Sequence, residues 1–384
     1  MRRRVGFVQR VLAEYRKPFF EALAVQPEWL VNVCAGQPLR GETLRVADTL
    51  SAATLTPLAN TYWQGARPWI CWQRGLSQWL GAVDPEVLIL EANPRLLSNW
   101  QCIHWMHHRG RRVLGWGLGS MPRSGGKWEN TARALLFAQL VRSFDGVIAY
   151  SSKAKKDYIN CGLRPEQVFI AYNSVDNSEA ERYLHQLGSD ASWIPSWKTS
   201  IGLEPNLPTI LFVGRLIERK RVDLLLEACA GLLHRCQVLI VGEGPAVPAL
   251  KTQASRYAGN IRFPGHLAGA VLARCMLAAD VFVLPGSGGL AMQQAMSYGK
   301  PIVVSFGDGT EGDLVRDGVN GRYFTAGDAA SLHEVLSELL DDPLHTVEMG
   351  QASLKIIREE INLARMVKSF GDAIGDRTFV DNAK

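Results

Sequence analysis

Between residues 209 and 305, short apolar runs rich in β-branched residues take turns with amphipathic segments of about ten residues. The runs are Thr209–Val213, Val238–Val241, Val281–Leu284 and Pro301–Ser305; the segments with helical spacing are Val222–Leu233, Val247–Tyr257, Ala270–Ala278 and Leu290–Tyr298. Strands without polar alternation are buried on both faces, which requires helices above and below a parallel sheet. This predicts an α/β fold, doubly wound and Rossmann-like. The first half repeats the alternation, with strands over Arg4–Val8, Leu30–Cys34, Val87–Leu90, Val113–Trp116, Val147–Tyr150 and Val168–Ala171. Its helical patterns are Leu96–His108, Glu129–Val141 and Ser152–Cys161. With 384 residues there is room for two such domains.

A Pro-broken polar passage ending in Glu204-Pro205-Asn206-Leu207-Pro208 predicts the junction. The expected division is a first domain over 1–195, a second over 196–355, and a helical segment over 356–384 crossing back to brace the first. That helix is read as one run from Asp342 to about Ile374. Two such domains facing each other make a cleft, and open parallel sheets bind ligands beyond the carboxyl ends of their strands.

Charge is divided unevenly. Residues 1–200 carry 24 Lys and Arg against 16 Asp and Glu, and the remainder carries 18 against 21. All eleven Trp lie between Trp29 and Trp197. A cationic, aromatic first half suits anionic lipid headgroups or a lipid-phosphate substrate, so an anionic membrane surface is one expected partner. The second half is not basic enough for nucleic acid. Seven scattered Cys without a Cys-x-x-Cys pair fit reduced thiols rather than a disulfide framework or a zinc site. Arg2-Arg3-Arg4 is followed by only four apolar residues before Gln9 and Arg10, too few for a signal h-region. The expected location is cytoplasmic, or peripheral at the inner face of the cell membrane.

Four segments carry candidate chemistry. The first strand of the second half runs into Gly214-Arg215-Leu216 and, five positions after Arg215, Lys220. Arg215 offers a planar fork for a diphosphate and Lys220 a point charge, while Gly214 lets a ligand come close to the backbone. Gly242-Glu243-Gly244 ends the next strand, a tight turn lacking the third Gly of a dinucleotide fingerprint. Gly286-Ser287-Gly288-Gly289-Leu290 opens a helix, so free backbone N–H groups and the positive end of a macrodipole can hold an anion. Gln294, one turn further, reaches towards a hydroxyl at the same mouth, and Asp313 sits in the loop after the following strand.

Taken in order, these segments resemble the sugar-nucleotide-binding half of the family-4 retaining glycosyltransferases, which have the two-domain GT-B fold. The resemblance is strong over 209–325 and weaker over 1–180. It implies a nucleoside-diphosphate sugar donor, UDP or GDP, with Arg215 and Lys220 neutralising the leaving diphosphate. It implies that Phe263-Pro264-Gly265-His266-Leu267 contacts the base, leaving His266 and Leu267 among the donor-binding residues with Gly214, Gly242, Gly244, Gly286, Ser287, Gly288, Gly289, Leu290 and Gln294. No cofactor and no metal are expected. The acceptor is expected to be a saccharide or a lipid-linked group in surface polysaccharide or glycoconjugate synthesis.

Three departures stand out. Gly286 and Gln294 occupy slots where the family usually has Glu, Asp313 stands where it more often has Glu, and Gly117-Leu118 follows a strand where many relatives place a His. The opening Tyr15-Arg16-Lys17-Pro18-Phe19-Phe20 looks like members that build surface polysaccharides, with Arg16, Gly117 and Leu118 as acceptor-side residues. The alternative reading is a non-catalytic sugar-nucleotide-binding or scaffold subunit of a polysaccharide assembly. His104 and His108 are i, i+4 on a helix, but no carboxylate accompanies them in sequence, so solvated histidines are expected rather than a metal site.

Overall fold

A computed structural model of the protein describes residues 2–42, 44–63, 69–119, 127–188, 190–257, 259–307 and 309–376, with 127–130 as backbone alone. The chain divides into two compact units, one of Met1–Asp176 with Leu363–Lys384, the other of Asn177–Asn362.

The first unit is built on seven parallel strands: β1 (Arg3–Gln9), β2 (Trp29–Ala35), β3 (Thr54–Pro57), β6 (Val87–Glu91), β7 (Arg112–Gly117), β8 (Gly146–Ala149) and β9 (Val168–Ile170), in the order β3-β2-β1-β6-β7-β8-β9. An antiparallel hairpin, β4 (Ala59–Trp63) and β5 (Ile70–Arg74), is inserted after β3. Omitting the hairpin, the sheet reverses direction between β1 and β6, the topological switch point of a doubly wound fold. The second unit has six parallel strands, β10 (Thr209–Val213), β11 (Gln237–Val241), β12 (Ile261–Gly265), β13 (Val281–Leu284), β14 (Ile302–Val304) and β15 (Gly321–Tyr323), in the order β12-β11-β10-β13-β14-β15. Its switch point lies between β10 and β13. Every residue of β11 and of β13 is buried, as strands covered on both faces must be.

Two expected boundaries are corrected. The first domain ends at Asp176 rather than 195, because the helices Ser178–Leu187 and Trp193–Ser200 both pack on the second unit's helix Gly269–Ala278. The segment that returns begins at Leu363 rather than 356. The single helix read from 342 to 374 is two, Pro343–Glu359 and Leu363–Gly375. Asn362 separates them by donating its side-chain amide to the carbonyls of Ile357 and Arg358, a local bond that competes with helix continuation.

The returning helix belongs to the core of the first unit. Met366, Val367, Phe370, Ala373 and Ile374 are buried, the i, i+4, i+7 stripe of an amphipathic helix. Phe370 lies 4.5 Å from Phe19 and 5.0 Å from Trp116, ring centroid to centroid. Arg3 and Arg112 donate to the carbonyl of Ile374 at the helix end, at 2.6 and 3.4 Å, where cations offset the macrodipole. Phe370→Ala is expected to destabilise this unit by about 3–5 kcal/mol, the range for emptying a buried aromatic site. A denaturant midpoint shift at constant m-value would measure it, and a negligible shift would show the helix to be dispensable.

The Trp residues are mostly neither core nor fully exposed. Trp79, Trp116 and Trp197 are buried and Trp63 is exposed, while Trp29, Trp69, Trp72, Trp100, Trp105 and Trp193 are half-buried. Among the described residues no helix is long and apolar enough to cross a membrane.

Candidate functional site

Parallel strands lie about 4.8 Å apart, so the loops at their carboxyl ends form a row in sheet order. In the second unit that row reads His266, then Gly242–Gly244, then Gly214–Arg215, then Gly286–Leu290, then the 305–310 loop, following β12, β11, β10, β13 and β14. The structure therefore places His266, the three glycine-bearing loops and Arg215 along one edge, with Arg215 and the Gly-rich turn flanking the switch point.

Backbone hydrogen bonds lace the row together. Gly214 N–H donates to Val241 O at 3.0 Å, Leu216 N–H to Glu243 O at 2.8 Å and Gly242 N–H to Gly265 O at 2.8 Å. Gly242 has φ 142°, and a Cβ on it would run into the carbonyl oxygen of Gly214. Its glycine is thus required by the neighbouring loop, before any ligand is considered.

Arg215 is exposed and makes no hydrogen bond or ion pair with another described residue. Lys220 is half-buried, and its ammonium donates to Ser287 O at 2.5 Å. That bond ties the one-turn helix Glu218–Lys220 to the Gly-rich turn. Arg221, next in sequence, pairs with Asp223 at 3.1 Å and is not part of the cationic group.

The Gly-rich turn leads into the helix Leu290–Ser297, whose start has no side-chain cap. A helix start leaves its first N–H groups without intrahelical partners; here Met292 N–H already donates to Gly289 O at 3.1 Å. Gln294, half-buried on the same helix, has no side-chain hydrogen bond to another described residue.

The structure gives Gly286, which stands in a slot where the resemblance implies Glu, a packing role of its own. A Cβ there would collide with Arg219 O and stand 2.8 Å from Lys220 Cα. Ser287 N–H also donates to Arg219 O at 3.4 Å. The turn presses backbone to backbone on the segment that carries Lys220, and only glycine fits.

One residue escaped the sequence reading. Glu311, not Asp313, is the carboxylate buried beside the turn, 3% exposed. It accepts the backbone N–H of Gly309 at 3.0 Å and that of Gly307. Gly307 in turn faces Ser287, whose Cα would lie 3.2 Å from a Cβ at 307. The signal was present as Gly307-x-Gly309-x-Glu311, a carboxylate able to fold back on two preceding amides. Asp313 is half-buried on the short helix Glu311–Leu314.

In the first unit the acceptor-side candidates also meet at strand carboxyl ends. Arg16 is half-buried, donates to Tyr150 Oη at 2.5 Å and to Gln9 Oε1, and lies 4.5 Å over the Trp116 ring. Burial works against its charge, but Tyr150, Tyr15 and Glu91 more than offset it, so its pKa is raised. Gly117 follows Trp116, and a Cβ on it would stand 2.9 Å from Tyr158 Oη. Tyr158 also accepts the N–H of Gly119 at 3.1 Å. Leu118 is exposed, 46%. Gln9, Trp116 and Tyr150 come from β1, β7 and the end of β8, so no local spacing could have signalled their meeting.

The histidines on the helix Ser98–His107 differ in company. His104 and His108 stack at 6.3 Å, whereas His107 Nε2 lies 3.3 Å from Asp145. No group of three potential metal ligands occurs among the described residues.

Fold and site together define a class: two Rossmann-like domains of the GT-B architecture, with Arg215, Lys220 and a Gly-rich helix start along one sheet edge of the second. The chain matches solved structures over nearly its whole length. An Anabaena protein, HepE, crystallised with UDP, has a TM-score of 0.71 at 16% identity, covering 98% of this chain and 100% of its own. Sucrose-phosphate synthase from Thermosynechococcus elongatus has 0.71 at 17% identity, covering 97% and 98%. Residues 207–342 match the family model described as Glycosyl transferases group 1. Among curated proteins, the phosphatidyl-myo-inositol mannosyltransferase of Mycobacterium leprae is 35% identical over 196 residues, 46% of this chain and 52% of that protein. That of Mycolicibacterium smegmatis is 34% identical over 215 residues, 51% and 55%. The chain spans about half the length of these curated relatives.

Proposed function

We propose that the protein is a retaining, metal-independent glycosyltransferase of family 4. It would move a hexosyl group from a nucleoside-diphosphate sugar to a saccharide or lipid-linked acceptor in surface polysaccharide or glycoconjugate synthesis. The observation that supports this reading is Lys220 bonded to the Gly-rich turn ahead of an uncapped helix start at the β10/β13 switch point, with Arg215 in the loop that leaves β10. A departing diphosphate needs its developing charge stabilised, and two cations plus oriented N–H groups supply that without a protein nucleophile. The row from β12 to β14 spans four strand spacings, about 19 Å, which suits an extended donor with its base near His266 and its sugar near the 305–310 loop.

The two named mannosyltransferases support mannose as the transferred sugar and a phosphatidyl-myo-inositol-type acceptor, which would be met at an anionic membrane surface. The cationic, Trp-bearing first half agrees with that acceptor class. A panel of UDP-, GDP- and ADP-sugars, each scored for binding and for transfer to lipid-linked and soluble acceptors, tests the reading. Turnover with one donor supports it. Binding without turnover for every donor favours the second reading, a scaffold subunit, which Gly286 and Gln294 motivate.

Gln294 is the available hydrogen-bonding group for a ribose or sugar hydroxyl. A carboxylate there would make that bond charge-assisted, roughly twice as strong. Gln294→Glu is expected to lower the donor KM several-fold with little change in kcat. An unchanged or raised KM would place the donor hydroxyls elsewhere.

A further inference from the structure

The first unit holds a cation whose surroundings are built but incomplete. Arg16 sits where β1 and β6 part, at the carboxyl ends of the strands. Its guanidinium is fixed by Gln9, Tyr150 and the face of Trp116. No described carboxylate forms an ion pair with it. Glu91, the nearest acid acting on its charge, already accepts the backbone N–H of Arg10 at 2.8 Å. Arg10, by contrast, is paired with Glu42 at 2.8 Å. A desolvated cation normally has a counter-charge.

Two donors at the same place are orphaned. Arg16 Nε and Trp116 Nε1 are both buried and have no hydrogen-bond partner among the described residues, and Trp116 as a whole is only 1% exposed. Unsatisfied buried polar atoms are rare in native structures and call for a missing partner. Two N–H donors and a positive charge held in a rigid cage ask for an anionic oxygen. An arginine's planar fork matches phosphate and carboxylate alike, and phosphate is the anion that the proposed lipid-linked and glycoconjugate acceptors carry.

We infer that Arg16 is the recognition site for a phosphate group, monoester or diester, carried by the sugar acceptor. This rests on the proposed glycosyltransferase reading for the word acceptor, but the anion site itself does not. The phosphate can belong to a lipid headgroup or to a soluble sugar or polyol phosphate.

The test uses the full chain bearing Arg215→Ala and Lys220→Ala, which removes the two cations of the second unit. Calorimetric titration with sn-glycerol 3-phosphate, and with glycerol as the neutral control, is expected to show binding of the phosphate alone. Adding Arg16→Gln should weaken it at least about tenfold, the lower end for losing a charge-assisted bond, while Arg16→Lys retains part of it. No binding in the parent background, or binding indifferent to Arg16→Gln, overturns the inference. If Arg16→Gln fails to fold by circular dichroism, phosphate protection of Arg16 from phenylglyoxal in the unaltered protein decides instead, and absence of protection overturns it. Flotation with phosphatidylinositol against phosphatidylcholine vesicles separates the sources. Arg16-dependent flotation assigns a lipid headgroup, and soluble binding without flotation assigns a free phosphate ester. Donor turnover, measured separately, can fail while this site survives, so the two readings fall independently.

Discussion

Arg215→Ala and Lys220→Ala are each expected to lower the rate of sugar transfer by about 10²–10³-fold, the effect of removing one preorganised charge-stabilising group. The loss should appear in kcat, because the charge these groups meet develops as the diphosphate departs. Arg215 is the cleaner of the two. It is exposed and has no described partner, so its removal should change stability by no more than about 0.5 kcal/mol. Lys220 also holds the Gly-rich turn through Ser287 O, and its alanine variant should lose donor affinity as well. Initial rates at saturating donor, set beside melting temperatures, separate the two contributions. Near-normal rates in both variants would remove the diphosphate from this edge.

The second large effect is expected at Gly286, and it runs against what the family resemblance implies. Placing there the Glu which that resemblance implies should not improve this protein. Gly286→Glu and Gly286→Ala both place a Cβ against Arg219 O and Lys220 Cα. Backbone cannot rotate away as a side-chain tip can, so each variant should destabilise the second unit by about 1–3 kcal/mol. Both should also displace Lys220 and reduce transfer, with Glu no better than Ala. Denaturant midpoints and donor KM would measure this. A Gly286→Glu variant that is stable and faster than the parent would show that the slot awaits a carboxylate after all.

Much of the scaffold was readable from residue order. Strands such as Val238–Val241 and Val281–Leu284 are apolar throughout because a parallel sheet hides both their faces, and that demand leaves a local mark. Two of the four edge strands left none. β3 (Thr54–Pro57), with its exposed threonine and proline, and the three-residue β15 (Gly321–Tyr323) are partly solvated, so nothing forces an apolar run. The junction at Asp176 was displaced in the reading because the amphipathic helix Ser178–Leu187 gives no sign of which unit it will cover.

The chemistry divides in the same way. Arg215 and Lys220 are five residues apart, and the glycine turn opens its helix in one continuous segment, so short-range spacing alone pointed to a candidate anion-binding edge. What those glycines are for emerged only when β10, β11 and β13 lay side by side: Gly242 makes room for Gly214, and Gly286 for Arg219. Arg16 was a bare cation in a short motif until Gln9, Trp116 and Tyr150 closed around it from three strands. Residue order can specify which groups a chain carries and how they recur along one element. Which groups from distant elements share a few ångströms is decided by strand order and packing, and there the desolvation of a charge and the exclusion of a Cβ acquire their meaning.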